Sequence, residues 1–216
     1  MATESVAAKA TEAQLVPLDR GFFARSTVVV AGDLVGRWLC RQTSDDDGGL
    51  TVGRIVETEA YGGPEDLASH SRAGLTKRTA PMFGEVGHAY VYLVYGMHEC
   101  LNVVAKDGGA QAGAVLLRAV EPISGVDTMR LRRGRAKDPD LKLASGPARL
   151  CQAMAVDRSF DSHDLTSGDR LWLAAGDGLL TSEAVATGPR IGVDYAGEWA
   201  ARPWRFWLAG NPSVSR

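Results

Sequence analysis

Glu57, Glu59 and Tyr61 stand two residues apart in the run VETEAY, and Arg118 is an isolated charge inside the apolar run VLLRAV. On an extended strand, side chains at i, i+2 and i+4 share a face, so two acids and a phenol would point the same way. A carboxylate and a guanidinium set into apolar strands are costly to bury unless paired. Glu59 and Arg118 can therefore be each other's partner, either as a structural ion pair or as joint holders of a water that Glu59 activates as general base. The same acids admit a second chemistry. Glu57 and Glu59 would lie roughly 6 to 7 Å apart at Cα, so their carboxyl groups could reach the separations used in glycoside hydrolysis; a pair of strand acids also describes a solvated face. With His70 they could ligate a divalent metal, but no fixed ligand spacing supports this.

Tyr61, His70 and Tyr92 are the aromatic side chains most easily gathered by two neighbouring strands and the loop between them. Flat walls suit a flat ligand. Stacking one base on an aromatic ring is worth about 1 to 3 kcal/mol, so two or three walls could offset the few kcal/mol needed to extract a base from a duplex. The alternative is that these rings fill core. Tyr95, beside Gly96 and Met97, fits the type of wedge that enters between base pairs, or else is an exposed, mobile ring.

These residues must be positioned by strands. The run LTVGRIVETEAY (50–61) reads as a strand, paired as a hairpin with RWLCRQ (37–42) across the turn SDDDGG, where Gly48 and Gly49 can take positive φ. HAYVYLVY and ECLNVVA form a second hairpin broken at YGMH, with Tyr90 and Tyr92 on one face. Residues 62–81 make a connection longer than the usual 4 to 6 residues, a length often associated with function. GAVLLRAVEP is a strand ending at Pro122, and further strands are expected at RLWLAA, PRIGVD and RPWRFWLAG. Helices are expected before Gly36, over ISGVDTMRLRRGRAKD with a basic exit near Gly134, and over SGPARLCQAMAV with Ser145 as cap and Pro147 in the first turn. The fold class is α+β: one domain over residues 16–216 after a flexible lead-in at 1–15, with a curved, largely antiparallel sheet flanked by helices and a protruding hairpin.

Length and composition fit one globular domain of 216 residues, with 45% hydrophobic and 23% charged residues. No stretch is apolar enough to span a membrane and no secretory leader is evident, so a cytoplasmic place is expected. Cys40, Cys100 and Cys151 are widely spaced, without a C-x-x-C, and read as buried reduced thiols. The net charge is −2, yet residues 72–149 carry 12 Lys and Arg against 7 Asp and Glu. That imbalance is the footprint of a local phosphate-binding face, or chance segregation.

The blocks RIVETEAYGGPEDLASHSR, MFGEVGHAYVYLVYGMHECLNVV, VLLRAVEP, SGPARLCQA and IGVDYAGEWAARPWRF together resemble, in order and spacing, the alkyladenine (3-methyladenine) DNA glycosylases over roughly residues 16–214. The resemblance implies a monomeric, monofunctional base-excision enzyme that flips alkylated or deaminated purines out of double-stranded DNA, needs no metal or organic cofactor, and leaves an abasic site without a lyase step. By matched position it implies Glu59 as general base, with Arg118 and the Ile191 backbone holding the water. It implies Tyr61, His70 and Tyr92 as pocket walls, the backbone near Ala68 and His70 as reader of the base edge, and Asn102 as the group excluding guanine. Tyr95 would intercalate, and Arg72, Lys77, Arg78 and Arg149 are candidates for the DNA backbone. Two departures stand out: SGVDTMRLRRGRAKDPDLKLASG differs in length and charge, and Asp194-Tyr195 stands where a Gly-His pair is common. Rival expectations are a non-catalytic lesion-binding module and a glycoside or nucleoside hydrolase using Glu57 with Glu59.

Overall fold

The strand β2, Leu50–Tyr61, is buried from Thr51 through Ala60 because every neighbour leans on it. One long edge pairs antiparallel with β5, Ala114–Ser124; the other is shared by β1, Trp38–Gln42, at its start and β8, Arg205–Leu208, near its end. The sheet continues outward from β5 through β4, His98–Val104, to β3, Ala89–Val94, and from β1 to β6, Leu171–Ala174; β7, Val185–Gly188, pairs only with β8. All pairings are antiparallel, and the sheet curls into a half-barrel. The computed structural model describes residues 12–44, 47, 49–135, 137–178 and 184–215.

Helices seal the inner face. α1, Arg20–Phe23, leads into α2, Thr27–Leu34, whose Val30, Ala31 and Leu34 are fully buried in the main core with Ile55, Leu117 and Val120. Thr58 fixes the contact by donating its hydroxyl to the Ala31 carbonyl at 2.7 Å. After the short α3, Ala80–Phe83, come α4, Val126–Arg133, and α5, Pro147–Ala153; α5 lies on β4 and β5. α4 ends where the basic run meets Gly134 in the left-handed region, at φ 60°, a backbone state glycine enters without Cβ strain. The three cysteines are free and buried, and burial pushes the thiols of Cys40 and Cys100 up to about 12 and about 11.

Several boundaries differ from expectation. β5 runs through Pro122 to Ser124, because Pro122 sits at a register irregularity opposite Gly53, where no ladder N–H is required of it. The α4 region is correspondingly shorter at both ends than the predicted helix. Gly146, not Ser145, occupies the cap position of α5; the Ser145 hydroxyl donates instead to the Val214 carbonyl at 3.3 Å. PRIGVD is no strand: Arg190 is buried, Gly192 has φ +75°, and a 3-10 turn follows at Asp194–Trp199. Residues Glu12–Leu15 of the expected lead-in form a 3-10 turn tied to the region of β6 by Gly176 N–H to Gln14 O (3.0 Å) and Trp172 Nε1–H to Leu15 O (2.9 Å). The rest of the lead-in, and Gly48 of the first turn, lie outside the described residues. Gly49 has positive φ as expected.

Candidate active site

The site begins with an irregularity in the β2–β5 ladder. Register slips on either side of Glu57 leave Arg118 as an extra residue between Leu117, opposite Thr58, and Ala119, opposite Glu57. Such bulges re-aim a side chain, and this one turns Arg118 toward both acids. Its Nε donates to Glu57 Oε1 at 2.9 Å and its Nη1 to Glu59 Oε2 at 3.2 Å. Burial alone would weaken the Arg118 charge, but Glu59 and Glu57 overcome that and hold its pKa above the ordinary guanidinium value.

Glu59 is fully buried and receives two further donors: the Tyr61 hydroxyl on Oε2 at 2.8 Å and the Ile191 backbone N–H on Oε1 at 2.7 Å. A carboxylate has about four acceptor sites, so three donors leave room for a water. Ile191, expected to hold the water through its backbone, meets the site through its N–H, which holds the carboxylate itself. Burial, then the Glu59 charge, raise the Tyr61 pKa well above the phenol value, so the hydroxyl stays protonated and able to donate.

Tyr61, Arg118 and Ile191, the three donors to Glu59, all line a cavity of about 470 Å³. Tyr92 and His70 form its far wall with ring centroids 4.6 Å apart, edge to face, and Tyr90 backs them, 5.1 Å from Tyr92. His70 Nδ1 meets the Tyr90 hydroxyl at 3.0 Å. Burial, then Arg78 and Arg72, lower the His70 pKa to about 4, so its ring is neutral near pH 7. Asn102 lines the same cavity, its Nδ2 donating to the Tyr90 carbonyl at 3.0 Å, and Ala68 lines it from the loop after β2. Every residue expected in the base pocket is thus brought to one cavity.

At its rim, Tyr95 is 90% exposed at the tip of the β3–β4 hairpin. Tyr95 and Gly96 have φ of 52° and 70°, and Met97 N–H bonds the Val94 carbonyl at 3.2 Å. Val94 pairs with His98, so Tyr95, Gly96 and Met97 close the hairpin; positive φ suits Gly96, but a tyrosine in that region is held against its own preference. Arg72, Lys77, Arg78 and Arg149 are exposed, Arg78 lies over the Tyr92 ring at 5.5 Å and Arg72 over Tyr195 at 5.3 Å.

Sequence reasoning missed a buried pair that sets the two loops of the site. Arg190 and Asp66 are joined by contacts of 2.6 and 2.9 Å with both side chains fully buried, and Asp66 also accepts from the N–H groups of Gly62 and Ala68. The Arg190 guanidinium lies 4.9 Å from the Tyr61 ring and 5.1 Å from that of Trp204. The pair therefore fixes the Ala68 loop, the ring of Tyr61 and the neighbour Ile191 at once. The only hint in the sequence is an acid among turn residues, able to bond backbone N–H groups nearby. Tyr195 was also unassigned; it lines the cavity and donates to the Ala68 carbonyl at 3.4 Å.

The two-carboxylate expectation fails on geometry. Glu57, like Glu59, is fully buried and absent from the cavity lining, but its acceptor sites are filled by four donors from Arg118, Arg205 and Ser215, whereas Glu59 accepts three and keeps one site open. Among the described residues no group of three His, Cys, Asp or Glu is placed to hold a metal ion.

The cavity thus combines aromatic walls, an exposed ring at its rim and a buried carboxylate bonded to three of its lining residues. The chain matches the family model for methylpurine-DNA glycosylase over residues 21–212. It is 47% identical over 199 residues to a putative 3-methyladenine DNA glycosylase of Methanocella arvoryzae, covering 92% of this chain and 96% of that protein. It is 44% identical over 209 residues to the human DNA-3-methyladenine glycosylase (93% and 68%) and 47% identical over 203 residues to the mouse protein (90% and 60%). The chain belongs to the methylpurine-DNA glycosylase family and is an enzyme of the DNA glycosylase class.

Proposed function

We propose that the protein excises alkylated or deaminated purines, of the 3-methyladenine, 7-methylguanine and hypoxanthine type, from double-stranded DNA in the cytoplasm, acting as a monomer. The observation that carries this reading is the fully buried Glu59 carboxylate, held by Ile191 N–H, Tyr61 OH and Arg118, three groups that themselves line the cavity. The flipped purine enters between Tyr61 and the Tyr92–His70 wall. Glu59 takes a proton from a water whose oxygen bonds to C1′ as the C1′–N bond breaks, and the base leaves with the bonding pair. Uncharged hypoxanthine leaves as an anion that takes up a proton from solvent, whereas a purine made cationic by alkylation leaves as a neutral molecule. The enzyme need mainly orient it and supply water. A neutral His70 suits such a ligand, since a second cation against it would repel. Asn102 crowds the base from the β4 side, where it would disfavour a 2-amino group and so reject unmodified guanine; 7-methylguanine keeps that group, and its cationic ring, a far better leaving group, offsets the poorer fit.

The described residues lining the cavity include no lysine, which favours hydrolysis by water over a covalent amine intermediate and a lyase step. A non-catalytic lesion binder would use the same walls but has no need of a buried carboxylate with three donors. Glu59→Gln separates the two. With a hypoxanthine duplex under single-turnover conditions, excision should fall by about 100-fold or more while duplex affinity is retained. An unchanged excision rate would remove Glu59 from the role.

A further inference from the structure

Glu57 lies outside the cavity, yet it accepts four hydrogen bonds, one more than Glu59. Its Oε1 accepts from Arg118 Nε at 2.9 Å, from Arg205 Nε at 2.6 Å and from the Ser215 hydroxyl at 2.9 Å; its Oε2 accepts from Ser215 N–H at 2.7 Å. Burial opposes this charge, but Arg118, Ser215 and Arg205 outweigh it and keep the Glu57 pKa below the usual carboxylate value. The segment carrying Ser215 is itself clamped: Asn211 donates to Glu121 at 3.1 Å, Ser145 to the Val214 carbonyl and Arg205 Nη2 to the Ser215 carbonyl, both at 3.3 Å.

Arg118 needs such a backing. It lines the base cavity on one side and, on the other, a second cavity of about 560 Å³ bounded by Lys142, Ser145, Arg149 and Ser215. Each of its nitrogens has one assignment: Nε to Glu57, Nη1 to Glu59, Nη2 to the Ser215 hydroxyl at 3.3 Å. A guanidinium is planar, so fixing Nε and Nη2 from behind fixes the direction of Nη1. Released from Glu57, it could turn to a two-pronged pair with Glu59 and take the acceptor site that a water requires.

We infer that Glu57, with Ser215, is a positioning residue that restrains Arg118 to a single contact with Glu59 and so preserves the water site. This rests on the proposed function above. The effect belongs to the chemical step, because neither Glu57 nor Ser215 lines the base cavity.

The test is single-turnover excision of hypoxanthine, with duplex affinity and thermal melting measured in parallel, for Glu57→Gln, Ser215→Ala, Arg118→Ala, and each of the first two combined with Arg118→Ala. Glu57→Gln is expected to lower the excision rate about 10- to 100-fold, the scale of a small misplacement of reacting groups, while the dissociation constant stays within about 3-fold. In the Arg118→Ala background it should cause little further loss, because a group that acts through another loses its effect when that group is gone. A purely structural role predicts equal losses in both backgrounds, and that result overturns the inference, as does an unchanged rate in folded Glu57→Gln protein. If Glu57→Gln fails to fold, Ser215→Ala decides by the same criterion with a smaller loss of several-fold. Glu59→Gln run alongside separates the failures: if it too leaves the rate unchanged, the proposed function falls; if it alone abolishes excision, only the role of Glu57 falls.

Discussion

His70 shows how one side chain couples the pocket to pH. In the folded protein its pKa lies at about 4, against an ordinary 6.5, because burial and then Arg78 and Arg72 disfavour its charge. Between these values the unfolded chain binds the extra proton and the folded chain does not. The contribution of His70 to stability is therefore present above about pH 6.5 and is lost as pH falls toward about 4. His70→Gln should reduce the slope of melting temperature against pH in that window; identical slopes would show that His70 charges freely in the fold. Strand parity made Glu59 and Tyr61 readable from the sequence, and an isolated charge in an apolar run made Arg118 readable. Glu57 has the same parity but a different use, because the bulge at Arg118 and the Ser215 segment decide what each acid meets. Asp66 and Arg190 were illegible for a related reason: they are separated by 124 positions, and neither stands in a pattern that predicts the other.

The β3–β4 hairpin is the element that would meet the duplex. Its strands were legible from alternating aromatic and β-branched residues, and its tip from YGM. The sequence does not reveal that Tyr95 adopts φ 52°, which follows from the turn required to close strands in this register. The tip thus presents a large ring on a constrained backbone, poised to fill the gap left by a flipped nucleotide. Tyr95→Ala should weaken binding to a lesion duplex about 5- to 150-fold, the equivalent of the roughly 1 to 3 kcal/mol that one stacked ring contributes, and should affect excision from an already unpaired site far less. Tyr95→Asn, which tolerates positive φ, should bind as weakly as the alanine variant if the ring matters, and close to the parent if the turn does. The strand expected at PRIGVD misleads for a reason at the same scale: short apolar runs do not distinguish a ladder from a loop held by buried side chains, and here the Asp66–Arg190 pair does the holding.

For the whole molecule, the question is how a chain of net charge −2 binds a polyanion. The basic middle divides when folded. Arg130 is bonded to the Asp138 carbonyl and Asp140, Arg132 to the Ala153 and Asp47 carbonyls, and Arg133 to Gln152. These side chains staple α4 to its surroundings and are poorly placed to serve phosphates. Arg72, Lys77, Arg78 and Arg149 are exposed instead, as are Arg135 and Lys137 just beyond α4, and Arg78 and Arg72 lie against cavity-lining rings. If the first four carry the electrostatic contact, the logarithm of the association constant should fall with the logarithm of salt concentration with a slope of about −3 to −4, at about 0.9 per phosphate neutralised. Lys77→Ala should reduce that slope by about 1 and weaken lesion and normal duplexes alike, since a phosphate contact carries no base information. Arg132→Ala should leave the slope unchanged while lowering thermal stability, because its bonds are internal. A slope that drops equally in both variants would mean that α4 also faces the DNA, and that its arginines exchange protein partners for phosphates on binding.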